Sequence, residues 1–327
     1  MAFFNEKWET MDQDQLKEVQ LEKFKKQVKR MYENPFYKKR FDESGVAPDD
    51  FKNLDDVKKA PYTFKDDLRE NYPLGMLSGD WEEVVRIQMT SGTTGTPTPM
   101  VYTQNDIDVW AECMARNFVA GGLKKTDIVQ QAHGLGLFTG GMGFHYGLER
   151  AGAKVIPTSS GGTDRQLRLM QEWGTTVFTG TPSYAAYIAE VAREKGIDPV
   201  KDLKLRLGFH GGEPVSDELR KRIDDRIGYK AHGGGMRTCY GLTEMGGPIG
   251  MDCEEIAGIH LWNDHYLVEV LDPETLVEVE PGKPGELVIT NLSFEAMPIL
   301  RYRTGDRVIV SFDKCACGRT HPRITNF

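Results

Sequence analysis

No stretch of this chain approaches the ~20 consecutive apolar residues that a helix needs to cross a bilayer. Its start, MAFFNEKWETMDQDQLK, has neither the basic n-region nor the apolar h-region of an export signal. Both absences point to a soluble, cytoplasmic protein with no membrane partner. Excess basic charge is missing too: 41 Lys and Arg stand against 49 Asp and Glu, a net charge of −8, which argues against a general nucleic-acid binder. Cysteine is sparse, five in 327 residues. An odd count with no signal peptide describes no disulfide framework and leaves reduced thiols or a metal site. No internal repeat or low-complexity tract is apparent. What is present is an ordinary globular mixture, 39% hydrophobic and 28% charged, which excludes disordered, collagen-like and coiled-coil classes. At ~150 residues per domain, the length fits two domains or one large domain with an appendage.

Residues 16–32 carry Leu21, Phe24, Val28 and Met31 at helical spacing, with Pro35 where a helix would stop. From about residue 84 the pattern becomes α/β: strand-like VVRIQM, PMVYT, DIVQQA, AKVIPTS, TTVFTGT and LKLRLGF alternate with helical stretches, one starting near Asn105. Another helix has Thr181 as N-cap, Pro182 in its first turn, apolar Tyr184, Ile188 and Val191 on one face, and Gly196 past its end. After about residue 261, LVEVLDP, LVEVEPGKPGELVIT and RVIVSF read as short strands and turns of an antiparallel β-subdomain. The expected organisation is a helical or linker region over 1–80, an α/β core over 81–260 and the β-subdomain over 261–327.

The strongest local motif is TSGTTGTPTPM, Thr90 to Met100, between two strand-like stretches. Glycines let backbone approach a ligand, while hydroxyls and successive N–H groups offer donors to phosphate oxygens. It lacks the GK[ST] of a Walker A loop, and a strand follows where that loop would start a helix. A flexible Ser/Thr/Gly hairpin is the competing reading. YGLTE (Tyr240 to Glu244) and YRTGD (Tyr302 to Asp306) follow in order. Glu244 has the chemistry to hold Mg²⁺ through oxygen, Asp306 to accept both hydroxyls of a ribose, and Tyr240 to stack on a base. Taken singly, each is equally a surface carboxylate, a turn residue or a core aromatic.

Together the three segments resemble the adenylate-forming superfamily of acyl-CoA synthetases. GLFTGGMGFHYG, TGTPSYA, GGEP and CACGRTHPRI make the chain similar to its phenylacetate-CoA ligase branch. The resemblance implies an α/β fold, the large N-terminal domain of that superfamily, with layered β-sheets, flanking helices and a small antiparallel β-subdomain. It implies an acid-thiol ligase: a carboxylate attacks the α-phosphate of ATP, pyrophosphate leaves, and CoA captures the acyl-adenylate, giving AMP and a thioester. By motif position, Ser91, Gly92, Thr93, Thr94 and Gly95 would cradle the β- and γ-phosphates. Thr243 would contact the α-phosphate, and Glu244 would hold Mg²⁺, making these two the catalytic pair. Gly212, Glu213, Pro214, Tyr240 and Gly241 would surround adenine, and Asp306 would grip the ribose. His133, Leu135, Gly136, Phe138 and Gly140 would line the acyl pocket, His133 without a catalytic role. The family's phenylacetate enzymes place Tyr-Gly-Tyr-Gly before LFTGG, where this chain has His133 to Gly136. That departure implies a different aryl or arylalkyl acid. Transfer of the acyl group to an acceptor other than CoA, and a noncatalytic adenylate-binding role, are the alternatives.

Cys253, His260, Cys315 and Cys317 offer four N/S ligands, a set that suits closed tetrahedral Zn²⁺. The spacing is no standard finger; similar positions in the resembled family favour a structural zinc over three buried thiols, with His265 as a lesser fourth ligand. Cys113 and Cys239 read as ordinary buried or semi-buried thiols. The resemblance also allows a homodimer. It further implies a hinge and a small C-terminal domain bearing a lysine for adenylation, for which no residues follow RITNF. The expectation for this polypeptide is binding of ATP or acyl-adenylate with slow turnover or none.

Overall fold

The computed structural model describes residues 2–90 and 97–327. In chain order the helices are α1 (Glu6–Glu9), α2 (Gln13–Tyr32), α3 (Pro35–Ser44), α4 (Lys65–Glu70), α5 (Gln104–Ala120), α6 (Thr139–Arg150), α7 (Thr163–Trp173), α8 (Pro182–Glu194), α9 (Pro199–Asp202) and α10 (Asp217–Ile227). The strands are β1 (Val84–Met89), β2 (Pro99–Thr103), β3 (Ile128–Gln131), β4 (Lys154–Ile156), β5 (Val177–Gly180), β6 (Leu207–His210), β7 (Gly235–Leu242), β8 (Gly247–Asp252), β9 (Ile259–Leu261), β10 (Tyr266–Leu271), β11 (Pro284–Asn291), β12 (Tyr302–Ser311) and β13 (Arg323–Asn326). Among the described residues, no helix is long and apolar enough to cross a membrane. The chain divides into two compact units, each built from separated stretches: 1–4, 111–242 and 247–259 form the first, and 5–110, 243–246 and 260–327 the second.

In the first unit β7, β6, β5, β3 and β4 lie side by side and parallel, and β8 joins β7 antiparallel. Strands such as VFTG and LGFH are buried along their whole length, as a parallel sheet covered on both faces requires. Helix α8 begins as the sequence indicates, with the Thr181 hydroxyl accepting from the Tyr184 amide at 3.3 Å and Pro182 at the first position. Its predicted apolar face packs on the core, Ile188 deepest, and is widened by alanines. Ala185, Ile188, Ala189 and Ala192 are inside, against Phe178, Ile223 and Met236, while Tyr184 and Val191 flank the cluster. The alanines let the helix approach closely, and Ile188 supplies the large knob.

The second unit holds an antiparallel ribbon in the order β10, β11, β12, β13, and the antiparallel pair β1–β2. Of the predicted segment 276–290, only β11 is a continuous strand; residues 277–279 fold back on the end of β10 through one isolated bridge, Leu271 to Glu278, with the Asp272 amide on the Val277 carbonyl at 2.8 Å and the Val279 amide on the Val270 carbonyl at 2.9 Å. Helix α2 buries Phe24, Val28 and Met31 as its periodicity predicts, with Phe24 and Phe41 edge-on to Phe51. It ends at Tyr32, two residues before Asn34 caps α3, whose first residue is Pro35.

Candidate active site

Ligands of open parallel sheets bind beyond the carboxyl ends of the strands, and the first unit places four predicted segments there. His133 to Gly140 follow β3, Thr181 to Ser183 follow β5, Gly212 to Pro214 follow β6, and Tyr240 and Gly241 lie in the last turn of β7. The strand ends are unusually polar for a buried sheet: Gln131, Thr179 and His210 are all buried. His210 Nδ1 is 3.0 Å from the Gly180 carbonyl oxygen and Nε2 is 3.0 Å from the Tyr229 hydroxyl. A carbonyl only accepts, so Nδ1 carries the proton and Tyr229 donates to Nε2. Burial pushes the His210 pKa down to about 4. His133 sits 3.4 Å from the Thr179 hydroxyl with its ring 4.3 Å from that of Phe144; burial, then the neighbouring His210, take it down to about 3. Both imidazoles are therefore neutral at pH 7.

A pH dependence follows. The unfolded chain takes up a proton at His210 near pH 6.5 and the folded chain only near 4, so the unfolded state gains protons first as pH falls. Stability is unaffected above pH 6.5 and declines between 6.5 and 4, by on the order of 3 kcal/mol at the limit for this residue. Urea unfolding from pH 7.5 to 5 should show the decline. H210Q should flatten its slope, and an unchanged slope would mean that these histidines are solvated.

The acyl-pocket segment has its own logic. Gln131 Nε2 donates to the Gly141 carbonyl at 2.8 Å, and a Cβ at Gly141 would collide with the Gly134 carbonyl oxygen. Small residues thus hold α6 against the 134–138 loop, which presents Leu135 and Phe138 to solvent; Gly136 has open space around its Cα. Glu213 is drawn to the start of α8: its carboxylate accepts from the Ser183 amide at 3.0 Å and the Ser183 hydroxyl at 2.7 Å, where the helix dipole favours negative charge. Cys239 is half-buried, its thiol pushed up to about 12 by loss of water and then by Asp252.

In the second unit, Thr243, Glu244 and Met245 form a single 3₁₀ turn closed by the Gly246 amide on the Thr243 carbonyl at 3.0 Å. Glu244 is 4% exposed, and its Oε1 has no hydrogen-bond partner among the described residues. Lys65 Nζ lies 3.8 Å from that oxygen. The buried Tyr302 hydroxyl is within hydrogen-bonding reach of the same carboxylate; burial, then the Glu244 and Asp306 charges, push its pKa far up. Asp306 reaches this neighbourhood through a bulge. The β11–β12 register passes from Glu286 opposite Arg307 to Val288 opposite Arg303, so Leu287 faces three residues, Thr304, Gly305 and Asp306. Gly305 takes φ +76, open to glycine without strain, and Thr304 Oγ1 accepts the Asp306 amide at 3.0 Å. Glu244 and Asp306 are thereby gathered around Tyr302. Ser91, Gly92, Thr93, Thr94 and Gly95 lie outside the described residues; at the base of their segment, the Thr90 amide donates to the Thr98 carbonyl at 3.0 Å.

Lys65 escaped the sequence reading. It is the first residue of a short helix in PYTFKDD, a segment without a motif, and is set in place by pairing distant in sequence. Thr63 bridges Tyr302, with its amide 3.2 Å from the Arg301 carbonyl and its own carbonyl 3.0 Å from the Arg303 amide.

The same unit brings together His260, Cys315 and Cys317, all buried, with ligand atoms within 4.8 Å of one another. His260 Nε2 is 3.5 Å from Cys317 Sγ. Ligands of tetrahedral zinc, at the usual N and S bond lengths, stand about 3.6 Å apart, so the donors fit the ion. The Cys-x-Cys loop closes on itself, the Cys315 amide donating to the Arg319 carbonyl at 3.0 Å. It is also sewn to the N-terminal segment: Arg319 pairs with Glu9, both fully buried, at 2.7 Å, and His321 Nε2 donates to the Trp8 carbonyl at 2.8 Å. Cys253, in the first unit, is buried just after β8.

This parallel sheet with ligand-type segments at its strand ends, and the bulged acidic strand after the YGLTE turn, define the large domain of an adenylate-forming enzyme: the chain belongs to the AMP-binding enzyme family, whose profile matches residues 4–293. It is 43% identical over 319 residues to the phenylacetate-coenzyme A ligase of Thermus thermophilus, an alignment covering 97% of this chain and 70% of that protein. To the phenylacetate-coenzyme A ligase of Pseudomonas putida it is 47% identical over 301 residues, 91% of this chain and 67% of the other. The solved structure of 2-hydroxyisobutyryl-CoA ligase with 2-HIB-AMP and CoA superposes with a TM-score of 0.92 at 29% identity, over 99% of this chain and 70% of that one.

Proposed function

We propose that this protein is an acid-thiol ligase that activates an aryl or arylalkyl carboxylic acid with ATP and passes the acyl group to CoA, releasing AMP and pyrophosphate. The observation that carries the reading is the buried Glu244 with one oxygen lacking a hydrogen-bond partner among the described residues, gathered with Asp306 around Tyr302, in a chain 43–47% identical to phenylacetate-coenzyme A ligases. An open carboxylate oxygen that is buried is costly unless a cation takes it, and Mg²⁺ prefers such oxygens. When bound, the ion would neutralise phosphate charge. The chain's own residues do the rest. Asp306 accepts both ribose hydroxyls and sets the nucleotide's register. Tyr240 stacks on adenine beside Gly212 to Pro214, and Thr243 donates to the α-phosphate. Backbone N–H groups of Ser91 to Gly95 take the charge that moves onto pyrophosphate. The neutral His133 offers the acid a hydrogen bond without a charge, in a pocket with Leu135, Gly136, Phe138 and Gly140.

The test is pyrophosphate release across a panel of aryl, arylalkyl and short aliphatic acids, with product mass spectrometry in the presence and absence of CoA. Acid-dependent release and a CoA thioester are expected. Release with an acyl group found on another acceptor would favour adenylation for transfer elsewhere, and nucleotide binding without release under any acid would favour a noncatalytic binder.

Zn²⁺ belongs to the same proposal, held by His260, Cys315 and Cys317 with Cys253 as fourth ligand; soft thiolates with one imidazole make a structural donor set. One zinc per chain should survive dialysis, and C317S should lose it. Chelation should lower the melting temperature by roughly 5 °C, the effect of about 3–4 kcal/mol in a chain of this size. A folded, zinc-free protein with an unchanged melting temperature would remove the metal from the account.

A further inference from the structure

We infer that Lys65 is a resident counter-ion of Glu244 that holds the carboxylate ready but competes with the divalent cation for it. The inference rests on Glu244 being the cation's ligand, as proposed above. A carboxylate 4% exposed needs a positive partner, and Lys65 is the cation placed at its open oxygen. Its distance, 3.8 Å, is beyond the 2.7–3.2 Å of an N–H···O hydrogen bond. Lys65 therefore lends Coulombic support without saturating Oε1, which has no hydrogen-bond partner among the described residues.

Its backbone cannot drift. Thr63 is paired on both sides to the chain around Tyr302, and the Phe64 amide donates to Asp67 Oδ2 at 2.7 Å. Asp67 in turn pairs with Arg40. The ammonium, by contrast, sits on four methylenes with its side chain 49% exposed, free to turn away. Among the described residues, the groups around the carboxylate are Lys65, which can move, and the buried hydroxyls of Tyr302 and Tyr102, with Asp306 and Arg69 close to Tyr302. A cation arriving at Oε1 meets a like charge a few ångströms off, and binding includes displacing it. Lys65 would then set how weakly the metal binds alone, keeping Glu244 paired until a nucleotide brings its own negative charge.

The test is Mn²⁺ titration of the protein without nucleotide, followed by electron paramagnetic resonance of free Mn²⁺, on wild type, K65M, K65R and E244Q. K65M should bind Mn²⁺ about tenfold more tightly than wild type, as expected for removing one like charge at this range, and K65R should stay within about twofold. K65M should also melt lower than wild type without metal and regain the difference on adding Mn²⁺, a readout independent of turnover. Unchanged or weaker Mn²⁺ binding by K65M, with E244Q abolishing it, would overturn the role of Lys65 alone. Mn²⁺ binding that E244Q leaves intact would overturn the metal role of Glu244, and this inference with it.

Discussion

Arg301→Met is expected to destabilise the protein by about 3–5 kcal/mol, the usual effect of removing one member of a buried ion pair and stranding the other. The guanidinium is almost fully buried and every direction from it is taken. Nε donates to Glu269 Oε2 at 3.0 Å and Nη2 to Oε1 at 2.8 Å. Nη1 reaches the Lys58 and Ala60 carbonyls, both at 2.9 Å, and Nη2 also the Tyr62 hydroxyl at 3.0 Å. The Tyr62 ring lies 4.1 Å away, adding a cation–π contact. Methionine fills the volume but leaves two carbonyls, a hydroxyl and a carboxylate without donors. Arg301 also holds φ +39, a left-handed conformation that persists only when its surroundings determine it. Urea unfolding measures the loss. The R301M/E269L double variant should recover part of it, because the stranded carboxylate goes too. A loss below about 1 kcal/mol would mean that the network is solvated. Because this residue ties 58–62 beside the strand that carries Tyr302, the single variant should also weaken nucleotide binding.

Asp306→Ala is expected to weaken Mg-ATP binding by about 10²–10⁴-fold. A carboxylate accepting two ribose hydroxyls makes two charge-assisted hydrogen bonds of ~1.5–3 kcal/mol each, and alanine keeps neither. Calorimetric titration of the variant beside wild type measures this. D306N, which retains one acceptor, should fall between the two. Equal affinities in all three would show that the ribose is held elsewhere, and would detach YRTGD from the nucleotide. Gly305→Ala is a useful companion: its φ of +76 strains any side chain, so the bulge that aims Asp306 should shift while the carboxylate itself remains.

Elements short enough to be specified by neighbouring residues were legible in the sequence. Helix α8 with its Thr181 cap, the strand after the Ser/Thr/Gly segment, and the long α2 all stand where periodicity and capping chemistry put them. The LVEVEP stretch pairs with the end of β10 through a single bridge and makes no strand, because alternation alone does not supply a long partner, whereas ELVIT lies between β10 and β12. The face of α8 was legible only in part. Periodicity weighs side-chain size, whereas close packing against the sheet selected alanines.

Motif residues were legible as chemistry and not as geometry. Glu244 reads as a carboxylate in a turn, and only the folded chain leaves its Oε1 buried with Lys65 alongside. His260 and Cys317 are 57 residues apart and Glu9 and Arg319 are 310 apart; no local pattern encodes such meetings. By itself, the sequence determined the types of element, the order of the nucleotide-type segments and the presence of donors suited to phosphate, ribose, magnesium and zinc. Those depend on residue identity and on spacings within a turn or two of chain. Only the tertiary structure decided which charges face each other, which polar atoms lose water and where Asp306 points, because burial and pairing across hundreds of residues arise when the sheets close and the core excludes solvent.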